Sequence, residues 1–191
     1  LGRLRGGGKK VLPRKCWRRG LRLALSNRGR MPKQQRAHQQ CLHHIHALGL
    51  AQKTDFPHLH IEPLDQGPSA CLSSGAAMPL PRVQHLWRQG ELLGRRLQRP
   101  LVVAECVPGG TTTAQAVLTA LGVEVAHLIS GSALHPPQQL KKDLVVRGLQ
   151  RASLDAHPSA EQILAAVGDP FQAFTAGVLV TGATRQNQMK A

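Results

Sequence analysis

Residues 101–122 constrain the fold more than any other part of the chain, because an apolar run, a glycine–threonine loop and a helical run follow one another there. The apolar residues 101–104 come after a helical stretch and Pro100, and this order predicts a short buried parallel strand. Thr111 begins the helical run, and Gly122 ends it as a C-cap. A strand that passes through a short loop into a helix is the repeating unit of α/β proteins.

The flanking residues continue this alternation of helices and strands. Apolar side chains at three- and four-residue steps predict a helix over residues 82–97, and short apolar runs predict strands over 58–61 and 123–129. Three further helices are predicted, over residues 136–149, 161–167 and 171–180. The sequence therefore predicts an α/β fold with a parallel sheet flanked by helices.

The positive charge of the chain is concentrated at one end. The net charge is +15, and residues 1–50 hold 13 Lys and Arg side chains without any Asp or Glu, whereas residues 51–191 hold 12 basic and 10 acidic side chains. Because a segment without acids cannot form internal ion pairs, we expect residues 1–50 to be a basic, poorly ordered segment. Residues 51–191 then form the α/β domain.

The four cysteines and the hydropathy of the chain predict its compartment. Cys16, Cys41, Cys71 and Cys106 are widely spaced and form no CxxC pair. This distribution is typical of reduced thiols in a cytoplasmic protein. The chain contains no apolar run of about 18 residues, so no transmembrane helix and no membrane partner are expected.

A metal site is a weaker hypothesis for the histidine-rich stretch near the end of the basic segment. His38, Cys41, His43, His44 and His46 lie within nine residues. Zinc sites need ligands in tetrahedral positions, and this spacing matches no standard zinc pattern. An accidental histidine-rich helix explains the cluster better, and no metal is expected.

The loop that follows the predicted strand is the best candidate for a functional site. Gly109 and Gly110 can adopt positive φ and let a ligand approach the backbone. The N–H groups at the start of the next helix favour a phosphate or a carboxylate. The loop lacks the GK[ST] lysine of a P-loop and is not a GxGxxG fingerprint, so an ordinary capped helix start stays open as an alternative.

Glu105 is placed at the end of the predicted strand, where open α/β sheets bind their ligands. A carboxylate between the apolar Val103 and Val107 is expected to have a raised pKa and to suit a general base. The alternative is a solvated carboxylate, or an ion pair with Lys141 or Arg147.

The sequence LVVAECVPGGTTTAQAVLTALG at residues 101–122 resembles the nicotinate-nucleotide:dimethylbenzimidazole phosphoribosyltransferase family. The resemblance is closest to its archaeal and cyanobacterial branch, whereas the bacterial branch has a loop of the form GEMGIGNTT. It continues through LISGSALHPPQQLKKDLVVRGL and AAVGDPFQAFTAGVLVTGA and covers residues 58–183. Family members are nearly twice as long, so the resemblance is to a shortened member with an incomplete sheet.

The resemblance implies a Rossmann-like parallel sheet flanked by helices, usually in a homodimer. It also implies transfer of phosphoribose from nicotinate mononucleotide to a benzimidazole base, a step in making the lower ligand of cobalamin. It implies neither a metal nor a redox cofactor. The sequence leaves open whether the shortened chain is an active glycosyltransferase.

The resemblance further implies which residues form the site. Glu105 corresponds to the glutamate of the GEMGIGNTT-type loop and is the implied catalytic residue. The implied substrate- and phosphate-binding residues are Gly109, Gly110, Thr111, Thr112, Thr113, Ser130, Gly131, Ser132, Lys141, Gly168 and Asp169.

Non-specific nucleic-acid binding through the basic segment is the alternative function, although Trp17 alone offers little base stacking. If the alternative holds, affinity for DNA should fall steeply as salt rises, because bound phosphates release counterions. Binding should survive substitution of Glu105 and disappear when residues 1–36 are deleted. A filter-binding titration at several salt concentrations measures this, and salt-independent or absent binding would contradict it.

Overall fold

The computed structural model describes residues 45–52, 55, 57–98, 101–105, 107–129 and 136–188, so most of the predicted basic segment lies outside it. Two short strands, β1 (His46–Ala47) and β2 (Leu59–His60), pair in parallel, with His46 opposite Leu59. Two short 3-10 helices (Leu64–Gln66 and Leu72–Ser74) follow β2. The described part then holds five α-helices: α1 (Leu80–Arg96), α2 (Gly110–Ala120), α3 (Gln138–Arg151), α4 (Ala160–Val167) and α5 (Pro170–Gln188). No helix among these combines the length and the apolarity needed to cross a bilayer.

Helices α1 and α5 form the most extensive helix pair, and glycines bring their backbones together. A Cβ atom on Gly90 would overlap the carbonyl oxygen of Phe174, and one on Gly177 would overlap the carbonyl oxygen of Trp87. At Gly94 a Cβ would overlap the hydroxyl of Thr181. The close approach of the two helices therefore depends on the absence of a side chain at these three positions.

The core consists of two apolar clusters that share helix α4. Leu164 of α4 packs with Leu86 of α1 and Phe174 of α5 in the first cluster. Ile163 and Val167 of the same helix pack in the second cluster, which also holds Leu72, Ala116, Val145 and Ala166. Helix α4 therefore joins the α1–α5 pair to α2 and α3, because adjacent residues along it bury side chains in different clusters.

A capping box fixes the beginning of α4. The Ser159 hydroxyl accepts from the Gln162 N–H at 3.2 Å, and the Gln162 side chain accepts from the Ser159 N–H at 2.7 Å. This reciprocal pair satisfies two donors that a helix start otherwise leaves open.

A buried ion pair attaches the segment before α1 to that helix. Arg82 donates to both carboxylate oxygens of Glu62, at 2.7 and 2.8 Å, and to the carbonyl oxygen of Gly67 at 2.7 Å. The N–H of Gly49 also donates to Glu62, at 2.7 Å. The charges are therefore satisfied although both side chains are buried, which is the condition under which such a pair is tolerated.

The predicted helices are confirmed, whereas two of the predicted strands are wrong. Residues 101–104 and 123–129 are not strands, and Leu101, Val102 and Val103 are 45%, 92% and 42% exposed. A strand needs a neighbour that accepts and donates its backbone hydrogen bonds. In the described part of the chain these residues pair with no other strand, and the parallel pairing forms instead between β1 and β2.

Substitutions of two glycines on the same helix should have different effects on stability. Gly177→Ala should lower the free energy of unfolding by about 1–3 kcal/mol, because its Cβ has no room against Trp87. Gly182→Ala should leave the free energy of unfolding unchanged or raise it by up to about 1 kcal/mol, because alanine favours helix. The added Cβ has room, since the nearest atom, in the Leu97 side chain, is 3.4 Å from it. Urea unfolding followed by circular dichroism measures both, and equal effects would contradict the close packing.

Candidate functional site

The loop before α2 turns through a left-handed glycine, as the sequence predicts. Gly109 is the N-cap of α2, with φ of 78°, and no side chain caps the helix start. A Cβ at Gly109 would meet no atom within 4 Å, so glycine is favoured there by the backbone angle alone. The helix start therefore follows a tight turn, as the alternative of an ordinary helix start expects, but no side chain caps it.

Most N–H groups at this helix start are already used by the loop itself. The Gly110 N–H donates to the Val107 carbonyl at 3.1 Å, and those of Thr112 and Thr113 donate to the Gly109 carbonyl at 2.8 and 3.4 Å. Among the described residues, the Thr111 N–H makes no such backbone bond. Three of the N–H groups that the sequence predicts for an anion are therefore already bonded within this turn, and the Thr111 N–H stays available.

The Glu105 carboxylate lies against the first residue of α2. Its Oε1 atom is 3.0 Å from the point that a Cβ on Gly110 would occupy, and the Val107 side chain is 3.3 Å from the same point. Glycine at position 110 therefore makes room for the carboxylate. Glu105 is an exposed residue, as the solvated alternative expects. Its pKa is nevertheless raised, first because partial burial removes some water from the carboxylate and second because of the negative charge of Asp169.

Asp169 connects the turn between α4 and α5 to this loop. Its side chain is almost completely buried, with 2% exposure. One carboxylate oxygen accepts from the Thr113 hydroxyl at 2.7 Å, and the other accepts from the Gln172 N–H at 2.9 Å. Two residues distant in sequence, Glu105 and Asp169, are therefore brought together at the start of α2.

The remaining predicted site residues make no contact with the Glu105 carboxylate or lie outside the described residues. Gly168 ends α4, and a Cβ there would press on Leu164, so its role in the structure is close packing. Lys141 is buried on α3, on the face that carries Val145 and Gly148. Ser130, Gly131 and Ser132 lie outside the described residues, so their predicted contact with substrate stays a prediction.

Gln172 is a residue of the site that the sequence reasoning missed. Its side-chain oxygen accepts from the Asp169 N–H at 3.1 Å while its own N–H donates to Asp169. The signal was present, because an acidic residue followed three positions later by Gln is the pattern of a reciprocal helix cap. Gln172 also borders an apolar cleft of about 250 Å³ between α1, α2, α4 and α5, whose walls include Trp87, Val117, Leu118, Leu164 and Ala176.

The described residues lend no support to the metal hypothesis. His46 lies in β1 rather than in a helix, and the other members of the histidine-rich stretch lie outside the described part. No group of three or more His, Cys, Asp or Glu side chains in the described part could hold a metal ion.

Cyanobacterial relatives match most of the chain, although no protein-family model matches it. A UPF0284 protein of Parasynechococcus marenigrum WH8102 is 62% identical over 137 residues, which is 72% of this chain and 35% of the relative. One from Prochlorococcus marinus MIT 9313 is 57% identical over 136 residues, which is 71% of this chain and 34% of the relative. Over these residues the chain belongs to the UPF0284 family. The UPF0284 chain spans about a third of the length of these curated relatives.

A solved structure, that of CobT from Thermus thermophilus, has the same fold. It superimposes with a TM-score of 0.63 over 92% of the UPF0284 chain and 54% of the CobT chain, at 22% identity. CobT is a nicotinate-nucleotide:dimethylbenzimidazole phosphoribosyltransferase. The resemblance drawn from the loop is therefore confirmed, as is the prediction of an incomplete α/β fold in which helices dominate around a small parallel sheet.

The raised pKa of Glu105 predicts how stability changes with pH. The folded state holds the Glu105 proton more tightly than the unfolded chain does. Stability is therefore greatest below the ordinary pKa of Glu and falls as the pH rises through the raised, folded-state pKa. Glu105→Gln, which stays neutral, should have a higher Tm than the wild type at about pH 7, and the difference should shrink towards about pH 4.

Glu124→Gln is the matched control, because Glu124 is exposed. Its Tm should follow that of the wild type across the pH range. A Glu105→Gln protein that is less stable than the wild type at neutral pH would contradict the raised pKa.

Proposed function

We propose that this UPF0284 chain carries part of a phosphoribosyltransferase site, in which Glu105 is the general base. The proposal depends on one observation, the Glu105 carboxylate with its raised pKa held against Gly110 at the start of α2. A base is most effective when its pKa lies near the working pH, and a raised carboxylate pKa moves in that direction. The fold shared with CobT supports the same proposal.

In the proposed reaction one benzimidazole nitrogen attacks the ribose carbon that carries nicotinate in nicotinate mononucleotide. The new carbon–nitrogen bond forms as the bond to nicotinate breaks, and nicotinate leaves with the bonding electron pair. The second benzimidazole nitrogen then carries a proton that it must lose. Glu105 accepts that proton, so the products are α-ribazole phosphate, nicotinate and protonated Glu105.

The Thr111 N–H is the group at the helix start best suited to the 5′-phosphate of the nucleotide. It has no internal backbone acceptor among the described residues, and it lies at the positive end of α2. Because Glu105 and Asp169 place negative charge on one side of this helix start, we expect the phosphate on the other side of Thr111. Ser130, Gly131, Ser132 and Lys141 remain proposed substrate contacts.

The complete reaction, a homodimer and a cytoplasmic location belong to the same proposal, because the chain spans about a third of its curated relatives. Residues 1–44, on which the nucleic-acid alternative depends, lie outside the described part. No described residue favours that alternative over the site at Glu105.

A nicotinate-release assay tests the proposal. The chain and the full-length Parasynechococcus relative are each incubated with nicotinate mononucleotide and dimethylbenzimidazole, and nicotinate is measured by liquid chromatography. Glu105→Gln in the chain should lower the rate by at least about 100-fold, as loss of a general base does. Glu124→Gln should leave the rate unchanged.

Two outcomes would reject the proposal. If neither the chain nor the full-length relative releases nicotinate, the family does not catalyse this transfer. If the chain releases nicotinate at the same rate with and without Glu105, the reaction proceeds without this base.

A further inference from the structure

Asp169 is a buried carboxylate without a counterion. Its exposure is 2%, and no Lys, Arg or His of the described residues forms an ion pair with it. Its oxygens are satisfied by neutral donors, the Gln172 N–H and the Thr113 hydroxyl. Burying a charge without an opposite charge is costly, so a fold that needed only a helix cap here would be served as well by Asn or Ser.

The Thr113 hydroxyl links Asp169 to the residue against which Glu105 lies. Its oxygen is 2.7 Å from the Asp169 carboxylate and 2.9 Å from the Gly110 carbonyl oxygen, and its single proton is shared between these acceptors. Gly110 in turn is the residue that leaves room for the Glu105 carboxylate. A continuous set of contacts therefore runs from the α4–α5 turn through the first turn of α2 to Glu105.

We propose that Asp169 is a positioning residue for Glu105: through the Thr113 hydroxyl it fixes the first turn of α2, and with that turn Gly110, the residue against which the Glu105 carboxylate lies. The proposal rests on the proposed function of Glu105 and gives Asp169 a role different from the substrate contact implied by the sequence resemblance. Asp169 does not touch the substrate in this role. It acts on the reaction through Glu105.

The groups that face Glu105 can be named element by element. From the turn before α5, Asp169 raises the pKa of Glu105. From α2, the N-terminal backbone, with the Thr111 N–H, acts in the opposite sense because it favours the ionised carboxylate. From the loop, the apolar Val107 side chain lies beside the same point on Gly110 as the Glu105 carboxylate. The effects that raise the pKa of Glu105 outweigh the effect of the helix backbone. Removal of the Asp169 charge should therefore lower the pKa of Glu105.

The matched variants are Asp169→Asn and Asp143→Asn. Asparagine at position 169 removes the charge and keeps an oxygen that can accept from the Gln172 N–H, so the cap on α5 is preserved. Asp143 is an exposed carboxylate on α3 that accepts from Gln139 at 2.7 Å, and its substitution removes the same charge elsewhere. Thr113→Val removes the linking hydroxyl, and Thr113→Ser restores it.

The experiment measures the pH at which Glu105 in the full chain is half-protonated. NMR of chains whose glutamates carry a label at the side-chain carboxyl carbon records this titration. The chain has five glutamates, at positions 62, 91, 105, 124 and 161, so the Glu105 signal is identified as the one lost in Glu105→Gln. In Asp169→Asn the Glu105 midpoint should shift downwards, and the acidic limb of the pH–rate profile should shift with it. Asp143→Asn should leave both unchanged.

An unchanged Glu105 midpoint in folded Asp169→Asn would overturn the proposal. If that variant does not fold, Thr113→Val and Thr113→Ser provide the test. A Glu105 midpoint that shifts in Thr113→Val and returns to the wild-type value in Thr113→Ser supports the proposal. Equal midpoints in the two variants overturn the proposal. The titration does not require turnover. A shifted midpoint without nicotinate release would therefore reject the proposed function alone and retain the coupling between the two carboxylates.

Discussion

The close approach of α1 and α5 is the constraint on which the rest of the structure depends. Gly90, Gly94 and Gly177 let the two backbones meet where a Cβ would overlap a carbonyl or a hydroxyl oxygen. This contact fixes α5, and the beginning of α5 carries Asp169 and Gln172. Because interiors are close-packed and transmit displacements, a shift of α5 along α1 would move Asp169 away from Thr113 and from the loop that holds Glu105.

The site combines two features that cost stability. Asp169 is a buried charge satisfied only by neutral donors, and Glu105 is a carboxylate whose ionised form is disfavoured by lost water and by Asp169. Functional sites often keep such costs because the chemistry needs them. The well-packed cluster around α4, with Ile163 and Val167 almost fully buried, supports the turn that holds Asp169 and offsets part of this cost.

The described residues form little sheet, although the sequence has the pattern of an α/β protein. The chain covers about a third of its UPF0284 relatives and about half of CobT, yet most of the chain itself matches both. The exposed apolar run at Leu101, Val102 and Val103 has the composition of a buried strand. Its burial requires neighbouring strands, which the described residues do not supply.

Local patterns in the sequence determined the helices, the glycine turn at position 109 and the choice of Glu105 as the candidate base. These features depend on neighbours a few residues away: apolar spacing sets the helices, and a left-handed backbone selects glycine. Only the tertiary structure decided the rest. Whether residues 101–104 form a strand depends on a partner strand, and the pairing of Glu105 with Asp169 depends on the packing of α4 and α5 against α2. Both are contacts between residues far apart in the chain, and no local pattern specifies such contacts.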